Sequence, residues 1–242
     1  VIVDASQPAP LRDAYYFVAE ALNRLKCEGH GVEYVREPFP LGIGKARNLA
    51  VEKSPWNGRI IVRIDDDSVC EPDYLGRLAK LMEDESVGAA GGVVPLYGTP
   101  PVIRNENKLR GVFNRVKFDK EGNIDLADDG GTLFEHALTL PSHHLRSSFA
   151  FRRKAWEDAK GFPTCYGLSG FREESEFCLR LAWKGWKMLT DTGAVAWHLR
   201  CPIGGVRSPD YANKVALCDD TFRRWAKWMW KEKGSPFGAF RW

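Results

Sequence analysis

Long apolar runs, paired cysteines and a strong net charge are all scarce in this 242-residue sequence. No stretch approaches the roughly 20 apolar residues that a membrane-spanning helix needs, so a helical integral membrane protein is not expected. Six cysteines, at positions 27, 70, 165, 178, 201 and 218, form no CxxC pair. Their spacing suggests neither a zinc site nor a disulfide framework, and reduced thiols in a cytoplasmic protein fit it best. A formal net charge of +3 is too small for a chain that tracks phosphate backbones, so no nucleic acid partner is expected. Internal repeats, low-complexity blocks and a signal peptide are missing as well. The opening "VIVDAS" lacks both a starting Met and a lead-in to an apparently buried strand, which suggests that residues upstream are absent.

What is there is an ordinary soluble composition, 44% hydrophobic and 28% charged, with strand and helix signals in alternation. Val1 to Val3 reads as a strand, and Leu11, Ala14, Tyr15, Val18, Leu22 and Leu25 recur at helical spacing. "GVEYV" (31–35) is the next strand, Gly42 to Lys53 a helix, "RIIVRI" (59–64) a strand, Leu75, Leu78 and Leu81 a helix after Pro72, and "VGAAGGVVPL" (87–96) a strand. Residues 97–146 read as hairpins and loops that shape a second substrate's site. Beyond them lie the strand "SSFAFRR", the short helix "KAWEDAKGF", the helix "EESEFCLRLAWKG" and the strand "AVAWHLR". The pattern predicts one α/β domain with a mostly parallel central sheet flanked by helices, whose ligand sites lie at the carboxyl ends of the strands.

Two acidic clusters stand out. Asp65, Asp66 and Asp67 follow an apolar strand directly, where mutual repulsion is costly unless a cation relieves it. The plainer alternative is a solvated turn before a helix. Glu173, Glu174 and Glu176 open a predicted helix, where acids also complement the macrodipole; Glu176 should face a nearby cation.

The order "VDAS", "GIGKARN", "DDD", "GF…REESEFCLRLAWKGWKM" and "AWHLR…GGVR" resembles the family 2 glycosyltransferases of the GT-A (Rossmann-type) fold, from residue 1 to about residue 207. The resemblance implies an inverting, metal-dependent transfer from a nucleotide-sugar donor, UDP-linked by preference, to a carbohydrate or lipid-linked hydroxyl acceptor. By position, Asp67 and His198 would bind Mn²⁺ or Mg²⁺, while Asp65 and Asp66 would lie near the donor's ribose or sugar. Asp4 would accept a hydrogen bond from the base, although with Ser6 it could simply cap a helix. Arg47 and Lys45 would reach the base or phosphates, with the glycines letting the backbone come close. Gly204, Gly205 and Arg207 would close over the pyrophosphate. Glu174, or its neighbour Glu173, would be the base that takes the acceptor's proton.

The same resemblance divides the chain into a transferase domain (1–207), its first half nucleotide-binding and its second acceptor-binding, and a C-terminal amphipathic helix and tail (208–242). Val215, Cys218, Phe222, Trp225 and Met229 form that helix's apolar stripe, opposite Arg223, Arg224, Lys227 and Lys231. The stripe suits packing on the domain, and the tryptophans and cations also suit peripheral membrane contact. "RRW" at 223–225 is only faintly similar to the QxxRW motif of processive synthases, since its Gln is missing. His143 and His144 read as loop residues beside the acceptor. Rival readings are a nucleotidyltransferase making nucleotide-sugars and a non-catalytic nucleotide-sugar binder. A metal-dependent adhesion domain fits poorly, because its DxSxS pattern fails at Pro8.

Overall fold

The computed structural model describes residues 1–5, 9–55, 58–99, 102–104, 112–199 and 210–237. The first half runs β1 (Ile2–Asp4), α1 (Leu11–Ala14), α2 (Tyr16–Cys27), β2 (Tyr34–Arg36), α3 (Ile43–Lys53), β3 (Ile60–Arg63), β4 (Ser68–Cys70), α4 (Tyr74–Leu81) and β5 (Val87–Val93). An excursion of short strands follows: β6 (Val102–Arg104), β7 (Val116–Phe118), β8 (Ile124–Leu126), β9 (Thr132–Phe134) and β10 (Thr139–Pro141). The chain then forms β11 (Phe149–Arg152), α5 (Arg153–Asp158), α6 (Glu173–Trp183), β12 (Lys187–His198) and α7 (Tyr211–Lys233).

The central sheet has the order β10-β12-β5-β11-β3, with β4 attached to β12. Of its pairings only β12 with β5 is parallel; the others are antiparallel. The expected mostly parallel sheet is therefore corrected to a mixed one. The cause is β11, which is reached from β5 through the short-strand excursion and not through a crossover helix, so it returns in the opposite direction.

Burial follows the pleat. Phe149 and Phe151 join Val51, Phe162, Phe177 and Met188 in one core, whereas Ala150 faces Tyr74, Leu78 and Val87 in another. Helices α5 and α6 supply the first face and α4 the second, so all seven residues of β5 are buried. That is why "VGAAGGV" shows no polar alternation. The Phe162 and Phe177 rings lie 4.2 Å apart, and each fully buried Phe contributes roughly 1.5–3 kcal/mol.

A third core holds α7 to the domain: Cys218, Phe222 and Ala226 pack with Val116, Ile124, Tyr166 and Leu179. Arg224, Trp228 and Lys231 remain exposed on its outer side. Among the described residues no helix is long and apolar enough to cross a membrane. The single helix expected over 11–25 is broken at Tyr15, and of its apolar stripe Leu22 is buried while Ala14, Tyr15 and Leu25 are exposed. β1 and β2 pair parallel in a separate two-stranded sheet.

Candidate functional site

The three aspartates form the turn between β3 and β4, which is closed by the Ser68 N–H donating to the Asp65 carbonyl at 3.1 Å. A turn sends consecutive side chains in different directions, and the three carboxylates have three different surroundings. Asp65 is drawn inward, where it accepts from Arg63 Nη2 at 2.6 Å and Arg47 Nη2 at 3.4 Å. Burial pushes its carboxyl up, but the two guanidiniums outweigh that effect and hold it below the usual range. Its N–H donates to Ser148 Oγ, and the Ser148 carbonyl accepts from the buried Tyr74 hydroxyl. Asp66 is exposed. Asp67 faces His198, with Oδ1 and Nε2 3.1 Å apart.

β12 brings that histidine to the rim. It begins beside β5 and β10, shifts register between Thr190 and Val195, and ends beside β4 with His198 opposite Ser68. Two further bonds fasten it: the His198 N–H donates to the Pro95 carbonyl, and the Leu199 N–H to the Asp67 carbonyl. Among the described residues no three His, Cys, Asp or Glu side chains converge as a metal-holding group.

The second acidic cluster opens α6. Glu173 is wholly buried and ion-paired with Arg47, and Arg63 Nη1 lies 3.9 Å away. Neither of its oxygens accepts an aligned hydrogen bond, so the attraction is mainly between charges. Glu174 is a quarter exposed and lies 3.7 Å from Arg47 Nη1. Glu176 faces cationic Arg180, as expected, and also accepts from the Tyr166 hydroxyl at 2.5 Å. Burial, and next the adjacent Arg63, lower the Arg47 guanidinium to about 10. Arg47 thus ties Asp65, Glu173 and Glu174 to one rim, while Lys45 beside it is exposed.

The glycines of "GIGKARN" act differently from the sequence-based expectation. A Cβ on Gly44 would lie 2.0 Å from the Pro163 carbonyl oxygen, and one on Gly42 would lie 2.8 Å from that of Gly167. They let α3 pack against the 163–167 loop, so the close approach is to the protein's own backbone. Asp4 is buried; its carboxylate accepts from the Tyr34 hydroxyl and lies 3.6 Å from Arg36 Nη1. Gly204, Gly205 and Arg207 lie outside the described residues. His143 and His144 are loop residues, as read, between β10 and β11, and they are buried: their ring nitrogens meet the backbone of Val116 and Ala127, and burial lowers both, His143 to about 4.

Arg63 is the residue that sequence reasoning missed. It is nearly buried, lies over the Phe149 ring at 5.0 Å and links both acidic clusters. A guanidinium inside the apolar run "RIIVRI" was the available signal, since a charge on the inward face of a strand is costly unless it is paired; of β3 only Arg63 is buried. At the opposite end of β3 a cleft of about 340 Å³ is lined by residues including Arg59, Arg152, Arg153 and Trp186. Arg152 and Arg153 there already donate to backbone carbonyls.

The family model for Glycosyl transferase family 2 matches residues 11–174. No curated protein matches the chain. Among solved structures, GalNAc-T7 with UDP, GalNAc and Mn²⁺ is 14% identical, with a TM-score of 0.59, covering 91% of this chain and 43% of that one. The mannosyltransferase PcManGT from Pyrobaculum calidifontis, in complex with GDP-Man and Mn²⁺, is 20% identical, with a TM-score of 0.55 and coverage of 97% and 56%. TarS of S. aureus is 13% identical, with a TM-score of 0.52 and coverage of 91% and 36%. The chain thus spans from about a third to just over half of these proteins' lengths. At such identities the likeness shows a shared fold.

Proposed function

The chain belongs to glycosyl transferase family 2, and from that premise we propose that it moves a sugar from a nucleotide-sugar donor to a hydroxyl acceptor with inversion. The observation that carries the reading is the gathering of Asp67, His198, Arg47 and Glu174 around one rim of the sheet. Residues 1–207 form the donor- and acceptor-binding body, working in the cytoplasm or against a membrane that presents a lipid-linked acceptor.

Asp67 and His198 suit a divalent ion, Mn²⁺ or Mg²⁺. A carboxylate and an imidazole 3.1 Å apart are acceptable ligand types for such an ion and would hold it together with its substrate, not in an all-protein cage. The mannosyltransferase and GalNAc-T7 neighbours, each solved with Mn²⁺, support that choice. When bound, the ion supplies positive charge to the departing diphosphate.

The protein's own residues do the rest. Arg47, charged at neutral pH even when lowered to about 10, holds donor phosphate oxygens at the rim together with Lys45, while the exposed Asp66 accepts from the donor's sugar hydroxyls. Asp65 is held by Arg63 and Arg47, which keeps it ionised and fixed for a donor hydroxyl. Glu174, the more exposed member of its pair, takes the proton from the acceptor hydroxyl as that oxygen attacks the anomeric carbon. Glu173 supports it by neutralising the two arginines. Asp4 orients the base: an acceptor-only carboxylate suits a uracil N–H, which favours UDP.

The test is product analysis on a panel of UDP, GDP, CDP and dTDP sugars with and without Mn²⁺. Metal-dependent release of nucleoside diphosphate is expected. Pyrophosphate formed in a parallel assay supplied with a nucleoside triphosphate and a sugar 1-phosphate would instead make the protein a nucleotidyltransferase, and binding without turnover in either assay would make it a nucleotide-sugar binder.

A further inference from the structure

We propose that Asp219, on α7, is a positioning residue for the carboxylate of Glu174, an inference that rests on Glu174 as the acceptor's base. The geometry starts at Arg172, the residue before the acidic pair and the N-cap of α6. Its backbone is left-handed, with φ of +73°, a conformation that a residue with a Cβ holds only where its surroundings over-determine it. The Glu173 N–H donates to the Gly170 carbonyl, and the Glu176 N–H to the Arg172 carbonyl, each at 3.0 Å. The Arg172 guanidinium lies over the rings of Phe171 and Phe222 and donates through Nε to Asp219 Oδ1 at 2.6 Å.

Asp219 is itself anchored. Its second oxygen accepts from Arg223 Nε at 2.5 Å, and Arg223 Nη1 donates to the Ile124 carbonyl at 2.8 Å. A continuous chain of charge-assisted hydrogen bonds therefore runs from β8 through α7 to the residue that aims α6. A small rotation at Arg172 would swing the helix's first turn and move Glu174 away from Arg47. The family match ends at residue 174, so the clamp is supplied by a part of the chain outside the family-defining region.

The experiment is a double-mutant cycle of Asp219→Ala with Arg172→Gly, read by steady-state kinetics with a nucleotide-sugar donor. Asp219→Ala lowers kcat roughly 10- to 100-fold, the range for a misplaced group, and leaves donor KM within about twofold. Glycine takes a positive φ freely, so in the Arg172→Gly background Asp219→Ala costs less than about twofold more. Asp219→Asn, which keeps an acceptor toward Arg172, recovers part of the loss and serves if Asp219→Ala does not fold. An unchanged kcat in Asp219→Ala, or the same loss in both backgrounds, overturns the proposal. If the unaltered protein turns over no donor, the functional reading fails on its own. Amide hydrogen exchange at Glu173–Glu176 then decides the positioning claim: faster exchange in Asp219→Ala sustains it, and unchanged exchange overturns it.

Discussion

The aspartate triplet and the glutamate cluster are built from the same charge, yet the fold separates their members in two different ways. On the β3–β4 turn, Asp65 goes inward to two arginines, Asp66 goes to solvent and Asp67 goes to His198. On α6, a rotation of about 100° per residue sends Glu173 into the arginines, leaves Glu174 partly exposed and brings Glu176 to Tyr166 and Arg180. Each cluster therefore gives one acid to the Arg47–Arg63 pair and keeps another at the rim. Adjacent acids in a sequence need not share a role; the local backbone decides which is bound internally and which can meet a ligand.

The sharpest way to break this comparison is to neutralise the two neighbouring glutamates in turn. Glu174→Gln should lower turnover by about 10²–10⁴-fold with the melting temperature nearly unchanged. Glu173→Gln should instead lower stability by about 3–5 kcal/mol, because two buried guanidiniums, left with Asp65 alone as a shared partner in the interior, lose one of their counter-charges. Kinetics and thermal melting on both variants check this, and equal effects would erase the distinction. On the turn, Asp67→Asn should weaken nucleotide-diphosphate binding in Mn²⁺ at least tenfold, whereas Asp66→Asn should stay within about twofold; titration calorimetry with and without the metal reads the difference.

The smallest expected effect concerns pH. Asp65 has a depressed folded-state pKa, so its contribution to stability is complete above its ordinary value of about 3.9 and is lost as pH falls through the lower folded value. Arg63→Met removes the nearer guanidinium, so its melting temperature should fall less steeply with acid between about pH 5 and pH 2. Parallel acid limbs in the two proteins would show that Arg63 does not hold Asp65.

Much of this site is readable in one dimension, and the gaps have physical causes. The rim position of Asp65–Asp67 follows from an apolar run ending in acids, and the α6 acids follow from a helix start. β12 reads as a strand only over its last residues because Thr190 and Thr192, buried in alternation with Met188, Ala194 and Ala196, look polar. β4 is too short, at three residues, to show a period. The mixed sheet is invisible because strand direction depends on how the excursion between β5 and β11 returns. The glycines of α3 imply a close approach, but the sequence does not say that the 163–167 loop is what approaches.

By itself, the sequence determined the elements and the chemistry at their ends: where strands stop, where acids and arginines cluster, and which stripe of α7 is apolar. These are local properties, carried by spacing along the chain and by side-chain type. Only the tertiary structure decided which charges meet: Asp67 with His198, Arg63 with both acidic clusters, and Asp219 with Arg172. These partners lie 131, 110 and 47 residues apart for the pairs Asp67–His198, Arg63–Glu173 and Arg172–Asp219. Such pairing is set by the sheet order and by packing across the cores, which no local pattern encodes.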